Sequence, residues 1–239
     1  SFLDKNCAVK SSQAAPGELM QKVEEIIDQY DHIYVLPISK TISGSYNTWK
    51  NVIAPDYPKL TVLELSNVAN TVNWSLQDLK AMNEKDELTP DSAQKYIEQK
   101  NRKRYECLFV YNLSQLAKGG RVSNIAAGIA NFFGVKLLVG HDFNGLKLQK
   151  KALSFKKCFD YIPVYLSERE KILFDWKKVK RICWLPTLKD NETEVMNELN
   201  KEIWKQVGNP NIKIEIANLP SVITTHTGKK SIALSIEWE

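Results

Sequence analysis

Four short segments concentrate side chains able to hold an anion or move a proton. The richest is Ser39-Lys40-Thr41-Ile42-Ser43-Gly44-Ser45-Tyr46, with hydroxyls at 39, 41, 43 and 45 around one glycine. It follows an apolar run and precedes a segment that opens as a helix. At such a junction hydroxyls and backbone N–H groups receive an anion well, because the first turn of a helix leaves unpaired donors at its positive end. The GxxxxGK[ST] spacing of a nucleotide loop is absent. The plain alternative is a Ser/Thr-rich helix cap. Ser11-Ser12-Gln13 offers two more hydroxyls and an amide, or simply a loop. Gly119-Gly120-Arg121 looks like a helix end that reverses the chain, with Arg121 either an anion clamp or an ion-pair partner. His226 stands between Thr225 and Thr227, with Gly228 after it.

Other chemistries find less support. His32 and His141 have no evident partner nearby in sequence, and three histidines without carboxylates at ligand spacing do not make a metal site. No metal and no cofactor are expected, and no residue is assigned a catalytic role. A small serine hydrolase acting on acyl esters would use Ser43 and His226. It needs a GxSxG elbow and an orienting acid, and neither is evident.

The elements that must position these residues follow from periodicity. Residues 18–30 read as a helix behind Pro16-Gly17, with apolar side chains at 19, 23, 26, 27 and 30. Residues 32–38 and 61–65 read as buried strands and 45–52 as a second helix, an alternation that predicts an α/β layer with parallel pairing. The polar stretch 83–91 is the best internal boundary, with Asp91 as N-cap of a helix to about residue 99. Later strands are expected at 107–111, 135–139, 181–185, 212–216, 222–225 and 232–238, with a hairpin turn at 143–146. Helices are expected at 125–133, 155–170 and 192–207.

Composition bounds the class. The chain has 239 residues, 43% of them hydrophobic and 10% aromatic, enough for a packed core. No apolar run approaches the roughly 18 residues that span a bilayer, and no signal peptide is expected. The sequence begins at Ser1 without a methionine, so the natural N-terminus is read as missing or processed. The cysteines at 7, 107, 158 and 183 form no CxxC pair, which argues against a zinc cluster or disulfide scaffold and for a reducing cytoplasm. Cys107 and Cys183 lie in apolar runs and read as core. A net charge of +5 with only five arginines gives no broad basic face, so nucleic acid is not the expected partner. A monomer is the default.

Taken together, the order of Ser11-Ser12-Gln13, Ser39 with Ile42-Ser43-Gly44-Ser45-Tyr46, Leu116-Ala117-Lys118-Gly119-Gly120-Arg121-Val122-Ser123, Val135-Lys136-Leu137-Leu138 and His226-Thr227-Gly228 resembles the DegV family. The Gly-Gly-Arg-Val-Ser block with its following strand is the most specific piece. The resemblance implies two α/β domains, here 1–85 and 86–239, with a fatty acid in a tunnel between them. The first domain would lack the family's N-terminal strand and its Asp-Ser-Thr loop. It implies that Ser11, Ser12, Ser43 and His226 hold the ligand carboxylate, with Ser39, Gly44 and Arg121 as neighbours. It also implies a non-enzymatic role, as the subunit that presents a long-chain fatty acid to a separate kinase for acyl-phosphate formation in phospholipid metabolism. Three segments depart from the family pattern: Ser11 for Thr, Lys40 for a second Ser, and Lys229-Lys230 for Pro-Gly.

The physics of such a ligand agrees with the segments. Each methylene removed from water contributes roughly 0.8 kcal/mol, so the tail needs a long apolar lining. Ile125, Ala126, Ile129 and Phe133 on the small-residue helix are the expected tunnel wall. The carboxylate needs two or three donors when buried. Hydroxyls and one histidine supply them without a bidentate arginine grip on the oxygen a kinase must reach. A carrier of another anionic amphiphile is the second alternative. Transient contact with an anionic membrane during ligand exchange is compatible with the positive charge.

Overall fold

The protein is described from a computed structural model, in which residues 10–111, 116, 134–143, 145–187, 190–208, 211–228 and 231–239 are placed. The chain divides into two units. The smaller spans Ser12–Lys103 and takes in Asp142–Gly145; the larger holds Arg104–His141 and Leu146–Glu239 with Lys10 and Ser11.

The smaller unit is built on two parallel strands, β1 (Ile33–Val35) and β2 (Leu60–Val62), with Ile33 opposite Leu60 and Val35 opposite Val62. Side chains alternate across a strand, and the core divides accordingly. Leu60 and Val62 pack with Val23 of helix α1 (Pro16–Ile26) and with Ile53. Leu63 and Leu65 pack with Leu79 of α3 (Ala69–Asn83) and with Ala93 and Ile97 of α4 (Pro90–Arg102). Pro16 at the start of α1 fits the first helical turn, where its missing N–H costs nothing. Between the strands the chain runs helically through α2 (Ser45–Thr48), a π turn (Trp49–Ile53) and a 3-10 turn (Ala54–Asp56).

Two expectations are corrected here. The units divide after Lys103, not after residue 85, because α4 buries Ala93 and Ile97 in the smaller unit's core. The N-cap of α4 is Thr89, not Asp91. The Thr89 Oγ1 accepts from Ser92 N at 3.1 Å and the Ser92 Oγ accepts from Thr89 N at 2.8 Å, a capping box that leaves Asp91 inside the first turn.

The larger unit holds a mixed six-stranded sheet in the order β5-β4-β3-β8-β6-β7. Its strands are β3 (Arg104–Val110), β4 (Lys136–Asp142), β5 (Gly145–Ala152), β6 (Val179–Pro186), β7 (Ile214–Ile216) and β8 (Ser231–Trp238). The strand β8 is central, antiparallel to both β3 and β6, while β7 runs parallel to β6. Alternate residues of three strands point into one core: Tyr105, Cys107 and Phe109 from β3, Ile182 and Trp184 from β6, and Ile232, Leu234, Ile236 and Trp238 from β8. Helices α5 (Phe155–Phe159), α6 (Ile162–Glu170) and α7 (Asp190–Val207) cover it. Along α7 the buried positions Met196, Leu199, Ile203 and Val207 recur at helical spacing. The single helix expected over 155–170 is two, with Ser154 capping the first through Lys157 N and Pro163 in the first turn of the second.

Residues 222–225, expected as a strand, belong to helix α8 (Ser221–Thr227). The β-branched run Val222-Ile223-Thr224-Thr225 favours extended chain. Here both threonine hydroxyls bond back into the helix, Thr225 to Ser221 O at 2.9 Å and Thr224 to Pro220 O at 3.3 Å. That bonding satisfies both hydroxyls inside the helix.

Candidate functional site

The turn that carries His226 is assembled around its neighbours. Helix α8 ends at Gly228, whose φ of +78° turns the chain toward β8. Thr227 faces inward, and its hydroxyl accepts from Ser231 Oγ at 2.9 Å. Ser231 Oγ also lies 3.1 Å from Gly228 O. With Thr227 anchoring the turn, the half-buried His226 reaches Ser11, and its Nε2 lies 2.6 Å from Ser11 Oγ. The two residues are 215 positions apart and belong to the same unit.

The direction of that bond decides what the pair can do. When Nε2 carries a hydrogen it donates to Ser11 Oγ, and the serine hydroxyl is left to donate onward. When Nε2 is bare, the serine donates to it and has no hydrogen for an anion. An anionic ligand at Ser11 therefore favours the Nε2-protonated imidazole.

The Ser39–Tyr46 loop leaves the carboxyl end of β1. Ser39 is buried, and its Oγ lies 2.8 Å from Thr41 Oγ1. Its carbonyl accepts from Ile42 N and Ser43 N, both at 3.2 Å, which closes a tight turn. Ser43 Oγ is 2.9 Å from Ser45 Oγ and accepts from Ser45 N at 3.2 Å. Gly44 has no side chain because Gln13 fills its place: a Cβ there would lie 2.9 Å from Gln13 Oε1. Gln13 in turn donates to Thr48 Oγ1 at 2.9 Å. The Ser11-Ser12-Gln13 segment thus sends Ser11 to the histidine and Gln13 to the Ser-Gly loop, while Ser12 itself is exposed.

Lys40, the departure from the family's second serine, pairs with Glu64 at 2.6 Å. Both side chains are partly exposed, so the pair contributes little to stability. Its effect is geometric, since it ties the loop after β1 to the chain leaving β2. The Glu64 carboxylate also bonds Tyr46, whose phenol is raised above its usual range by burial and then by that charge.

Sequence reasoning missed the residues around the β2 exit. Asn101 on α4 clamps this backbone, accepting from Ser66 N and donating to Glu64 O, both at 2.8 Å. Ser39 N donates to the Asn67 carbonyl at 3.0 Å, so the two exits lie side by side. Asn67 is 1% exposed, and its side-chain Nδ2 has no acceptor among the described residues. A lone Asn in a stretch without helical or strand periodicity carries no signal in the sequence.

Several expected residues lie outside the described ones: Gly119, Gly120, Arg121, the tunnel residues Ile125, Ala126, Ile129 and Phe133, and Lys229-Lys230. Cys107 and Cys183 are core residues as read, and burial pushes the Cys183 thiol up to about 12 and that of Cys158 to about 11. Such thiols are poor nucleophiles. Among the described residues no cluster of His, Cys, Asp or Glu can hold a metal ion, and no helix is long and apolar enough to cross a membrane.

A family profile described as "Uncharacterised protein, DegV family" matches residues 3–239. A DegV domain-containing protein of Mycoplasma genitalium is 29% identical over 237 residues, covering 98% of this chain and 80% of its own. Among solved structures, a fatty acid binding DegV family protein of Streptococcus agalactiae superposes with a TM-score of 0.83 at 20% identity, over 100% of this chain and 81% of that one. The Fatty Acid Kinase (Fak) B3 protein of Streptococcus pneumoniae, loaded with linoleic acid, gives a TM-score of 0.77 at 17% identity, over 100% and 81%. These likenesses establish the α/β fold.

Proposed function

The chain belongs to the DegV family, and from that premise we propose that it binds one long-chain fatty acid and presents it to a separate kinase subunit in the cytoplasm. Ser11, Ser12, Ser43 and His226 hold the carboxylate, and the acyl tail is buried in an apolar lining. The chain itself performs no chemistry and uses no cofactor. The observation that carries this reading is the 2.6 Å contact between Ser11 and His226, two motif residues far apart in sequence. It orients a hydroxyl donor without placing a permanent positive charge on the ligand oxygen. The neighbours described as fatty-acid-binding, and the one described as a kinase B protein, supply the ligand class and the partner class.

A tail of palmitate length offers on the order of 10 kcal/mol of burial at about 0.8 kcal/mol per methylene. Affinity therefore comes from the tail, while the hydroxyls and histidine select an acid over neutral lipids. Each charge-assisted hydrogen bond contributes about 1.5–3 kcal/mol, or roughly 10- to 150-fold in affinity.

Mass spectrometry of the organic extract from natively purified protein should recover a long-chain fatty acid at about one per chain. Recovery of no lipid, or of a different amphiphile, overturns the reading. Ser43→Ala and His226→Ala should each weaken hexadecanoic acid binding by about tenfold or more. Full affinity in both variants would remove these residues from the head-group site. A hydrolase reading would draw on the Ser11–His226 pair, because a serine within reach of an imidazole is how an activated nucleophile begins. Treatment with a fluorophosphonate probe separates the two, and an unlabelled protein is the expected result.

A further inference from the structure

We infer that the Asn67 side-chain amide is a further donor to the ligand's head group, set at the carboxyl end of β2 beside the Ser39–Ser45 loop. This rests on the fatty-acid reading above and adds to it a residue that the family motifs do not contain.

The strands β1 and β2 are parallel neighbours, so the loops that leave them emerge at the same end of the pair. Open α/β sheets receive ligands at the carboxyl ends of their strands. The first exit is the hydroxyl loop that carries Ser39 and Ser43, and the second is Ser66-Asn67-Val68, which leads into α3. The two touch directly: Ser39 N donates to Asn67 O at 3.0 Å, and Lys40 pairs with Glu64 at 2.6 Å.

The second exit is held from several sides. Asn101 bonds both Glu64 O and Ser66 N, Leu63 N donates to Val35 O at 2.9 Å, and the Thr71 hydroxyl donates to Val68 O at 2.8 Å. A loop fastened in this way does not leave a polar side chain buried by accident. Yet the Asn67 amide is buried and its Nδ2 meets no acceptor among the described residues. Buried donors in native proteins nearly always have a partner, because leaving one unmatched is costly. Helix α3 also starts two residues later without a side-chain cap, which puts the positive end of a 15-residue helix next to the same amide. A neutral amide donor beside a helix N-terminus suits a carboxylate, and neither group competes for its negative charge.

The test compares two probes that differ only at the head. Delipidated full-length protein is titrated with hexadecanoic acid and with hexadecan-1-ol, in the wild type, Asn67→Leu and Asn67→Asp. The expected result for Asn67→Leu is about a tenfold weaker acid, with the alcohol changed less than about twofold. Asn67→Asp should weaken the acid further, since two carboxylates then face each other. Acid affinity equal to wild type in both variants overturns the inference. So does equal loss of acid and alcohol, which is what a purely structural role would produce. If the wild type binds neither probe, the fatty-acid reading falls and this one with it, a result distinct from either of those. A crystal structure of the wild-type protein with hexadecanoic acid decides the matter even if the variants fold poorly. Asn67 Nδ2 within about 3.2 Å of a ligand oxygen supports the assignment, and a separation too long for a hydrogen bond overturns it.

Discussion

Both units bury polar side chains, and two groups of them, one in each unit, differ in how they are partnered. In the larger unit, Arg104 and Glu106 on β3 lie on the face turned away from the aromatic core, opposite Glu237 and Ser235 of β8 and, for Glu106, His141 of β4. Arg104 with Glu237 and Glu106 with Ser235 bond each other across the sheet, while His141 only approaches Glu106. The Arg104 Nε donates to Glu237 Oε2 at 2.6 Å, Ser235 Oγ to Glu106 Oε1 at 3.2 Å, and His141 Nδ1 stands 3.9 Å from Glu106 Oε2. In the smaller unit, the hydroxyls at the β1 exit bond one another, but the Asn67 amide beside them is left over. Burial alone does not mark a functional side chain. What sets Asn67 apart is its place at the carboxyl ends of two parallel strands, beside a loop of hydroxyls.

The largest expected effect breaks the first half of that contrast. Arg104 is 1% exposed, so Glu237→Gln removes the negative charge from a buried ion pair. Removing one partner of a buried pair costs about 3–5 kcal/mol. Urea denaturation should show a loss of that order, while the fraction that remains folded binds hexadecanoic acid within about twofold of wild type. If acid affinity instead fell with stability, the charges of the larger unit would belong to the ligand site and the contrast would fail.

A smaller effect is expected where a motif residue serves only its neighbour. Gly44→Ala brings a Cβ to 2.9 Å from Gln13 Oε1, the movable end of an exposed side chain. Gln13 should swing away and release Thr48, whose hydrogen bond contributes about 1 kcal/mol. The expected outcome is a melting temperature lower by about 2–4 °C, with acid binding weakened by up to about fivefold as the loop loses its brace. A drop of many degrees with intact affinity would make Gly44 a folding residue only.

The contrast also separates what the sequence could tell from what it could not. The hydroxyl loop, the Ser11 segment and the His226 turn were legible because each concentrates unusual residues over a few positions, and their order carried the family. The sheet of the larger unit was legible from apolar runs, though β3 begins at Arg104 and Glu106 because its charges find partners across the sheet. Helix α3 was not legible. Its buried positions include Asn70, Thr71 and Ser75 alongside Trp74 and Leu79, so hydrophobic spacing is diluted by the polar side chains it buries. Helix α8 was misread because its β-branched run favours extended chain, and the bonds that satisfy its threonines four residues back exist only once the helix has formed. The Ser11–His226 contact and the Asn67 amide depend on distances that no local pattern encodes.

The finest test uses backbone strain in the two units. Ala69, at the start of α3, has a φ of +49°, and Lys171, at the end of α6, has a φ of +57°. A side chain in this left-handed region costs about 1–2 kcal/mol, and glycine escapes that cost while adding freedom to the unfolded chain. Each change to glycine should therefore raise stability by no more than about 1 kcal/mol. At Lys171 the gain should come without consequence for binding, because a left-handed residue after a helix is an ordinary C-terminal turn. Ala69 sits two residues beyond Asn67 and fixes how α3 departs from the clamped exit. Ala69→Gly should gain similar stability yet weaken hexadecanoic acid by about two- to threefold, as the amide loses its fixed direction. The alcohol should be unaffected. Equal behaviour of the two variants toward the acid would mean that the strain at Ala69 is only a turn, and that Asn67 is held by Ser39 and Asn101 without it.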